Sequence, residues 1–167
     1  TSLATSLASC AGTHAADGAP NANPAQSQLA PELRGTTLAG DALDLASYRG
    51  RVVLVDFWAS WCKPCRRELP ELATLATRYA DAGLVVVGIN EDDNLADANS
   101  FLTHNPLDFQ LIHDGDKQIA EAWSPEKMPT LFLIERDGTI GMVIAGETPT
   151  LIEDLEAALA TRLENDQ

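Results

Sequence analysis

Apolar residues run through this chain in two rhythms. Val52 to Trp58 is apolar on both alternating sides except at Asp56, and Leu84 to Ile89 is apolar apart from Gly88. Runs of that length, rich in β-branched residues, fit strands covered on both faces, as in a parallel or mixed sheet. A helical period takes over in Leu69, Leu72, Leu75, Ala76 and Tyr79, again in Leu95, Ala98, Phe101 and Leu102, and finally in Leu151, Leu155, Leu159 and Leu163. The first of these predicted helices starts at Cys62 and stops at Gly83, with Pro64 in a first turn that has no use for its missing N–H and a kink at Pro70. The second opens on Glu91-Asp92-Asp93-Asn94 and ends at Asn105-Pro106. The last opens on Thr150-Leu151-Ile152-Glu153, which has capping-box form.

Weaker patterns fill the gaps. Thr36 to Leu45 predicts a small hairpin turning at Gly40-Asp41, followed by a short turn over Ala46 to Gly50. Phe109 to Ile112 predicts a short strand, Asp114-Gly115 a turn, and Asp116 to Trp123 a short helix. Leu131 to Ile134 and Thr139 to Ala145 predict antiparallel strands across Arg136-Asp137-Gly138, whose Asp-Gly suits a tight turn. Strands alternating with helices place the chain in the α/β class.

Residues 1–31 follow neither rhythm. Thr1 to Cys10 is small, apolar and uncharged, while Ala11 to Pro31 is built from Ala, Gly, Asn, Pro, Gln and Ser and reads as a flexible linker. The expected division is therefore a tail over residues 1–31 and one domain over residues 32–167. No stretch is long enough to span a bilayer as a helix.

Composition narrows the partners. At 167 residues and 45% hydrophobic content the chain supports one domain with a real core. A formal net charge of −14 argues against nucleic acid, whose phosphates would be repelled over most of the surface. Lys63, Arg66 and Arg67 nevertheless stand beside Cys62 and Cys65, so the face around them is expected to be locally positive.

Those two cysteines carry the candidate chemistry. Cys62 falls where a helix begins, and unpaired amides, the helix dipole and the nearby cations all favour a thiolate over a thiol with its free pKa of about 8.5. Cys65, three residues on, would lie above Cys62 at roughly 5–6 Å, a spacing at which a disulfide opens and closes reversibly. Zinc would need two more ligands at paired spacing, and the remaining cysteine, Cys10, lies far off in the tail. No metal is expected, and no cofactor beyond the redox-active Cys62-Cys65 pair. His104 and His113 show no pairing and read as surface residues, whereas Trp58 and Trp61 are expected to pack the active turn.

The run Val-Asp-Phe-Trp-Ala-Ser-Trp-Cys-Lys-Pro-Cys ending at Cys65, with Pro70 after it and Met128-Pro129-Thr130 later, resembles the thioredoxin superfamily. Within it the chain is most similar to the TlpA/ResA/CcmG (DsbE) group of membrane-anchored thiol-disulfide oxidoreductases. That resemblance implies a thioredoxin-like fold, a central mixed β-sheet flanked by helices, with an N-terminal hairpin and a central insert.

The resemblance also implies roles. Cys62 would be the nucleophile and Cys65 would resolve the mixed disulfide. Asp56, the one acid in an apolar strand, would be buried with a raised pKa and shuttle the Cys65 proton; Glu68, one turn after Cys65, matches an acidic position of ResA-like proteins, and the residues leave open which of the two does so. Pro129 resembles the family's cis-proline, which would set the Met128 backbone beside the cysteines for pairing with an extended client; Trp61, Lys63 and Pro64 would complete that face. Leu7-Ala8-Ser9-Cys10 resembles the end of a lipoprotein signal, with Cys10 lipidated. The partners expected are client proteins with disulfides or thiols and a membrane reductant of the DsbD or CcdA kind, in the bacterial cell envelope facing the periplasm; one implied setting is cytochrome c maturation.

Two rival readings use the same cysteines. A Cu(I)-binding or delivery module would hold the ion with both thiolates and Met128 or a histidine, but related copper-delivery proteins show C-x-x-x-C. A peroxidase of the peroxiredoxin pattern would place proline and a threonine or serine ahead of its cysteine, where this chain has Val55 and Ala59.

Overall fold

The computed structural model describes residues 28–163. Cys10 and nearly all of the expected linker lie outside them.

Strand β3 (Val52–Trp58) is the centre of a five-stranded mixed sheet in the order β5-β4-β3-β6-β7, formed with β4 (Leu84–Asn90), β5 (Gln110–His113), β6 (Thr130–Ile134) and β7 (Ile140–Ala145). β3 pairs parallel with β4 and antiparallel with β6, so it is closed on both edges, and every residue in it is buried. Alternation then sorts its side chains. Val53, Val55 and Phe57 enter the core shared with Leu33, Leu43, Leu45 and Trp123, while Val52 and Leu54 enter the core under helices α1 (Lys63–Tyr79) and α4 (Leu151–Leu163). Asp56, two residues from Leu54, is thereby sent to the α1 side.

Trp58, on that same side, packs its ring 5.5 Å from Phe101 of helix α2 (Leu95–His104). Gly88 of β4, opposite Asp56 in register, leaves room for it: a Cβ there would lie 3.0 Å from Trp58 Nε1 and 2.7 Å from Leu111 Cδ2.

The N-terminal hairpin, β1 (Arg34–Thr36) with β2 (Ala42–Asp44), covers one end of the sheet: Leu38 N–H donates to Leu111 O at 2.8 Å and Thr37 bridges Ile112. A short 3-10 helix, Leu45–Tyr48, stands where a turn was expected. Main-chain bonds also attach the segment just before the hairpin. Ala30 N–H donates to Gly138 O at 2.9 Å and Ile140 N–H to Gln28 O at 2.7 Å, so these last residues of the expected linker are fixed to the β6–β7 turn.

Some boundaries differ from the sequence pattern. Helix α1 passes through Pro70 without ending and stops at Tyr79, short of Gly83; residues 80–83 make a separate turn in which Gly83 adopts φ +98°. Thr150 hydroxyl donates to Asp154 Oδ2 at 2.8 Å rather than forming the box expected with Glu153. The short helix α3 is confined to Gln118–Trp123, because Asp114 accepts the Ile119 and Ala120 N–H groups at 3.1 and 2.7 Å.

Candidate active site

Cys62 is the N-cap of α1, with extended backbone, and Pro64 lies in the first turn as expected. Cys62 and Cys65 are joined as a disulfide with Cα atoms 5.3 Å apart. Cys65 N–H donates to Cys62 Sγ at 3.2 Å. This bond aims the positive end of α1 at one sulfur, the arrangement that stabilises a thiolate once the bond opens. Of the two residues Cys62 keeps 4% exposure and Cys65 none.

The surrounding cations are partly engaged. Arg67 Nη2 pairs with Glu147 Oε1 at 2.5 Å, and the Arg66 guanidinium lies 5.8 Å from the Phe101 ring centroid, while Lys63 is exposed. Trp58 packs the active turn as expected, but Trp61 does not: it is 64% exposed, an apolar plate standing beside Cys62. The Met128-Pro129 peptide is cis, and Met128 packs on the apolar cluster that contains both cysteines. Gly146 N–H donates to Pro129 O at 2.7 Å and holds this loop against the end of β7.

Beneath the α1 side of the sheet the two candidate acids meet. Asp56 is fully buried and Glu68 is 7% exposed; neither Asp56 oxygen has a hydrogen-bond partner, nor has Glu68 Oε1. Burial pushes Asp56 up to about 7. Burial, and then the facing Asp56 carboxylate, push Glu68 up to about 9. Two carboxylates this deep cannot both ionise cheaply, so the pair holds a proton through neutral pH.

A polar cluster at the same end of the sheet was not legible in advance. Ser60 N–H donates to Asp92 Oδ2 and Oδ1 at 3.0 and 3.2 Å, and its hydroxyl to Oδ1 at 2.8 Å. Asn90 Nδ2 donates to Asp92 Oδ2 at 2.7 Å, and His113 Nδ1 lies 3.0 Å from Asn90 Oδ1. His113 is therefore half-buried and bonded, not a free surface residue; His104 is exposed, its Nδ1 3.0 Å from Ser100 O. The usable signal was the parallel pairing of β3 with β4, which brings the residues after both strands to one edge; Glu91-Asp92-Asp93-Asn94 read instead as a helix start. Among the described residues no group of three or more His, Cys, Asp and Glu side chains could hold a metal ion.

The rival peroxidase pattern is absent from this geometry. Val55 lies inside β3 and Ala59 is enclosed in the apolar cluster, so neither of its expected polar or proline positions is filled.

Comparison with known proteins places the chain in a family. The chain is 32% identical over 130 residues to the thiol-disulfide oxidoreductase ResA of Geobacillus kaustophilus, covering 78% of this chain and 74% of that one. Its fold superposes with a TM-score of 0.78, at 33% identity, on a protein of Chlorobium tepidum assigned as the thiol:disulfide interchange protein DsbE, covering 83% of this chain and 97% of the other. A secreted Mycobacterium tuberculosis disulfide oxidoreductase, homologous to DsbE of E. coli, matches with a TM-score of 0.66 at 26% identity over 77% of this chain and 95% of that one. The AhpC/TSA family matches residues 27–143. The chain belongs to the AhpC/TSA family, as a thioredoxin-like thiol-disulfide oxidoreductase.

Proposed function

We propose that the protein reduces disulfides of exported client proteins through Cys62 and Cys65. The observation that carries this reading is the Cys65 N–H to Cys62 Sγ bond of 3.2 Å at the start of α1. It makes Cys62 the better thiolate, and exposed Trp61 beside it and Met128 before cis-Pro129 offer a client an apolar edge.

In the reduced protein the Cys62 thiolate attacks one sulfur of a client disulfide, forming a mixed disulfide and releasing one client thiolate. Cys65 then gives its proton to the Asp56-Glu68 pair and attacks Cys62 Sγ. The intramolecular disulfide forms and the second client thiolate leaves, so two electrons pass to the client. Lys63 and Pro64 border the attacked sulfur and complete the client face.

Regeneration needs a dithiol donor. A membrane reductant of the DsbD or CcdA kind fits an envelope location facing the periplasm, with anchoring through lipidated Cys10; apocytochrome c is one client class. No helix among the described residues is long and apolar enough to cross a membrane.

Trapping tests the reading. Cys65→Ser retains attack but not resolution, so mixed disulfides with clients accumulate and disappear with dithiothreitol. Equal trapping by Cys62→Ser overturns the assignment, and a Cu(I)-delivery module would trap no client through either sulfur.

A further inference from the structure

The turn Ala59 to Cys62 delivers β3 into α1. Cys62 N–H closes it on Ala59 O at 3.1 Å, which leaves Ser60 and Trp61 as its central residues. Of these two central residues only Ser60 is hydrogen-bonded through its side chain, and both Ser60 donors, N–H and hydroxyl, go to Asp92, 32 residues later.

Asp92 is 1% exposed, so its carboxylate needs donors to offset the loss of water. Ser60 N–H, Ser60 hydroxyl and Asn90 Nδ2 supply them at 2.7–3.2 Å. Asp92 stands just before α2, where an acid normally caps free helix amides. Here the N-cap is Asn94, which makes no side-chain cap bond, and the Asp92 oxygens turn to the active turn instead.

The support behind Asp92 is braced on every side. Glu91 N–H donates to Trp58 O at 2.8 Å, and Lys117 Nζ donates to Glu91 O at 2.6 Å. Asn90 Oδ1 accepts Asp92 N–H at 3.3 Å and faces His113 Nδ1, while Asp114 N–H donates to Asn90 O at 2.9 Å. A clamp fixed this firmly fixes what it grips.

We propose that Asp92 is a positioning residue for thiol-disulfide exchange: by holding Ser60 it keeps the Ala59–Cys62 turn closed and the Cys62 sulfur seated on the amides of α1. The inference rests on the exchange reading above and adds to it a residue that touches neither sulfur.

Its consequence has a sign that a mere charge would not give. If Asp92 acted on Cys62 only as a nearby negative charge, neutralising it would favour the thiolate and lower the Cys62 pKa. As a clamp, its loss lets the sulfur leave the helix amides and raises that pKa.

The test is iodoacetamide alkylation of Cys62 in the reduced protein, followed across pH, with thermal melting as a check on folding. Asp92→Ala slows alkylation at pH 6 about tenfold, the effect of a one-unit rise in thiolate pKa. Asp92→Asn keeps one acceptor oxygen and slows it about threefold, and Ser60→Ala keeps the N–H bonds and slows it about threefold or less. In the Asp92→Ala background, Ser60→Ala has no partner left to lose and changes the rate by less than about twofold. Unchanged or faster alkylation in both Asp92 variants, or a Ser60→Ala effect that adds fully to theirs, overturns the proposal. Should Asp92→Ala not fold, Asp92→Asn and Ser60→Ala carry the same signs. Alkylation needs no client, so failure of the parent protein to reduce insulin disulfides would overturn the exchange reading and leave this result standing.

Discussion

Asp56 and Glu68 bring two acidic side chains together in one buried place, the first from the middle of β3 and the second from one turn past Cys65 on α1. Both are raised, Asp56 chiefly by burial and Glu68 by burial and then by the Asp56 charge. The pair keeps a proton through neutral pH, and its Glu68 member lies one helical turn along α1 from the enclosed Cys65.

The pair makes stability depend on pH. A raised native pKa means that the folded state binds the proton more tightly than the unfolded chain, where Asp titrates near 3.9 and Glu near 4.3. The contribution is complete below about pH 4 and is lost as pH rises through the native values, about 7 for Asp56 and about 9 for Glu68. Asp56→Asn therefore stabilises the oxidised protein more at pH 8 than at pH 4, by a difference on the order of a few kcal/mol. Denaturant melts at the two pH values measure it, and an equal gain at both would show that Asp56 is not the buried acid described.

The two acids also report on each other. Asp56→Asn removes one of the forces that raise Glu68, so the Glu68 carboxyl titrates lower in that variant. Carbon-detected NMR titration of the Glu side chains reads the shift directly; a Glu68 midpoint identical in both proteins would mean that burial alone sets it.

In the reduced protein Cys62 alkylates well before Cys65. Cys62 begins α1 and retains exposure, whereas Cys65 is fully enclosed. Mass-mapped alkylation near pH 7 decides the order, and earlier labelling of Cys65 would exchange the roles of nucleophile and resolving thiol.

Trimming the N-terminus has a sharp limit. A chain starting at Gln28 keeps the Ile140 N–H to Gln28 O and Ala30 N–H to Gly138 O bonds, and its insulin-disulfide reduction matches that of the parent. A chain starting at Glu32 loses both and is less stable by about 1–3 kcal/mol, at the usual net value of a backbone hydrogen bond. Equal melting of the two truncations would show that these bonds add nothing.

Gly88→Ala strains the wall behind the active turn. Its Cβ would come within 2.7 Å of Leu111 Cδ2 and 3.0 Å of Trp58 Nε1, against side chains already enclosed. The expected cost is about 1–3 kcal/mol, with a change in Trp58 fluorescence in the folded state. Wild-type melting and an unaltered spectrum would mean that the cluster repacks freely.

Much of this was legible in the chain itself, because local rules decide it. Two-sided apolar runs rich in β-branched residues at Val52–Trp58 and Leu84–Ile89 read as interior strands, and a cysteine followed by Lys-Pro-Cys at the end of one of them reads as a helix start. As the one acid in an apolar strand, Asp56 was likewise expected to be buried, and the structure encloses it fully.

What pairs across the fold was not legible. Glu68 at a helix start looks the same solvated or buried, and only the packing of α1 on β3 brings it against Asp56 and raises both. Asp92 looked like the first turn of α2, yet the parallel register that sets Trp58 beside Asn90 carries it to Ser60. Trp61 follows the same logic in reverse: its apolar ring suggested packing, but the clamped turn points it into solvent beside Cys62. Periodicity records which face a residue takes, and the close approach of distant segments then determines what that face meets.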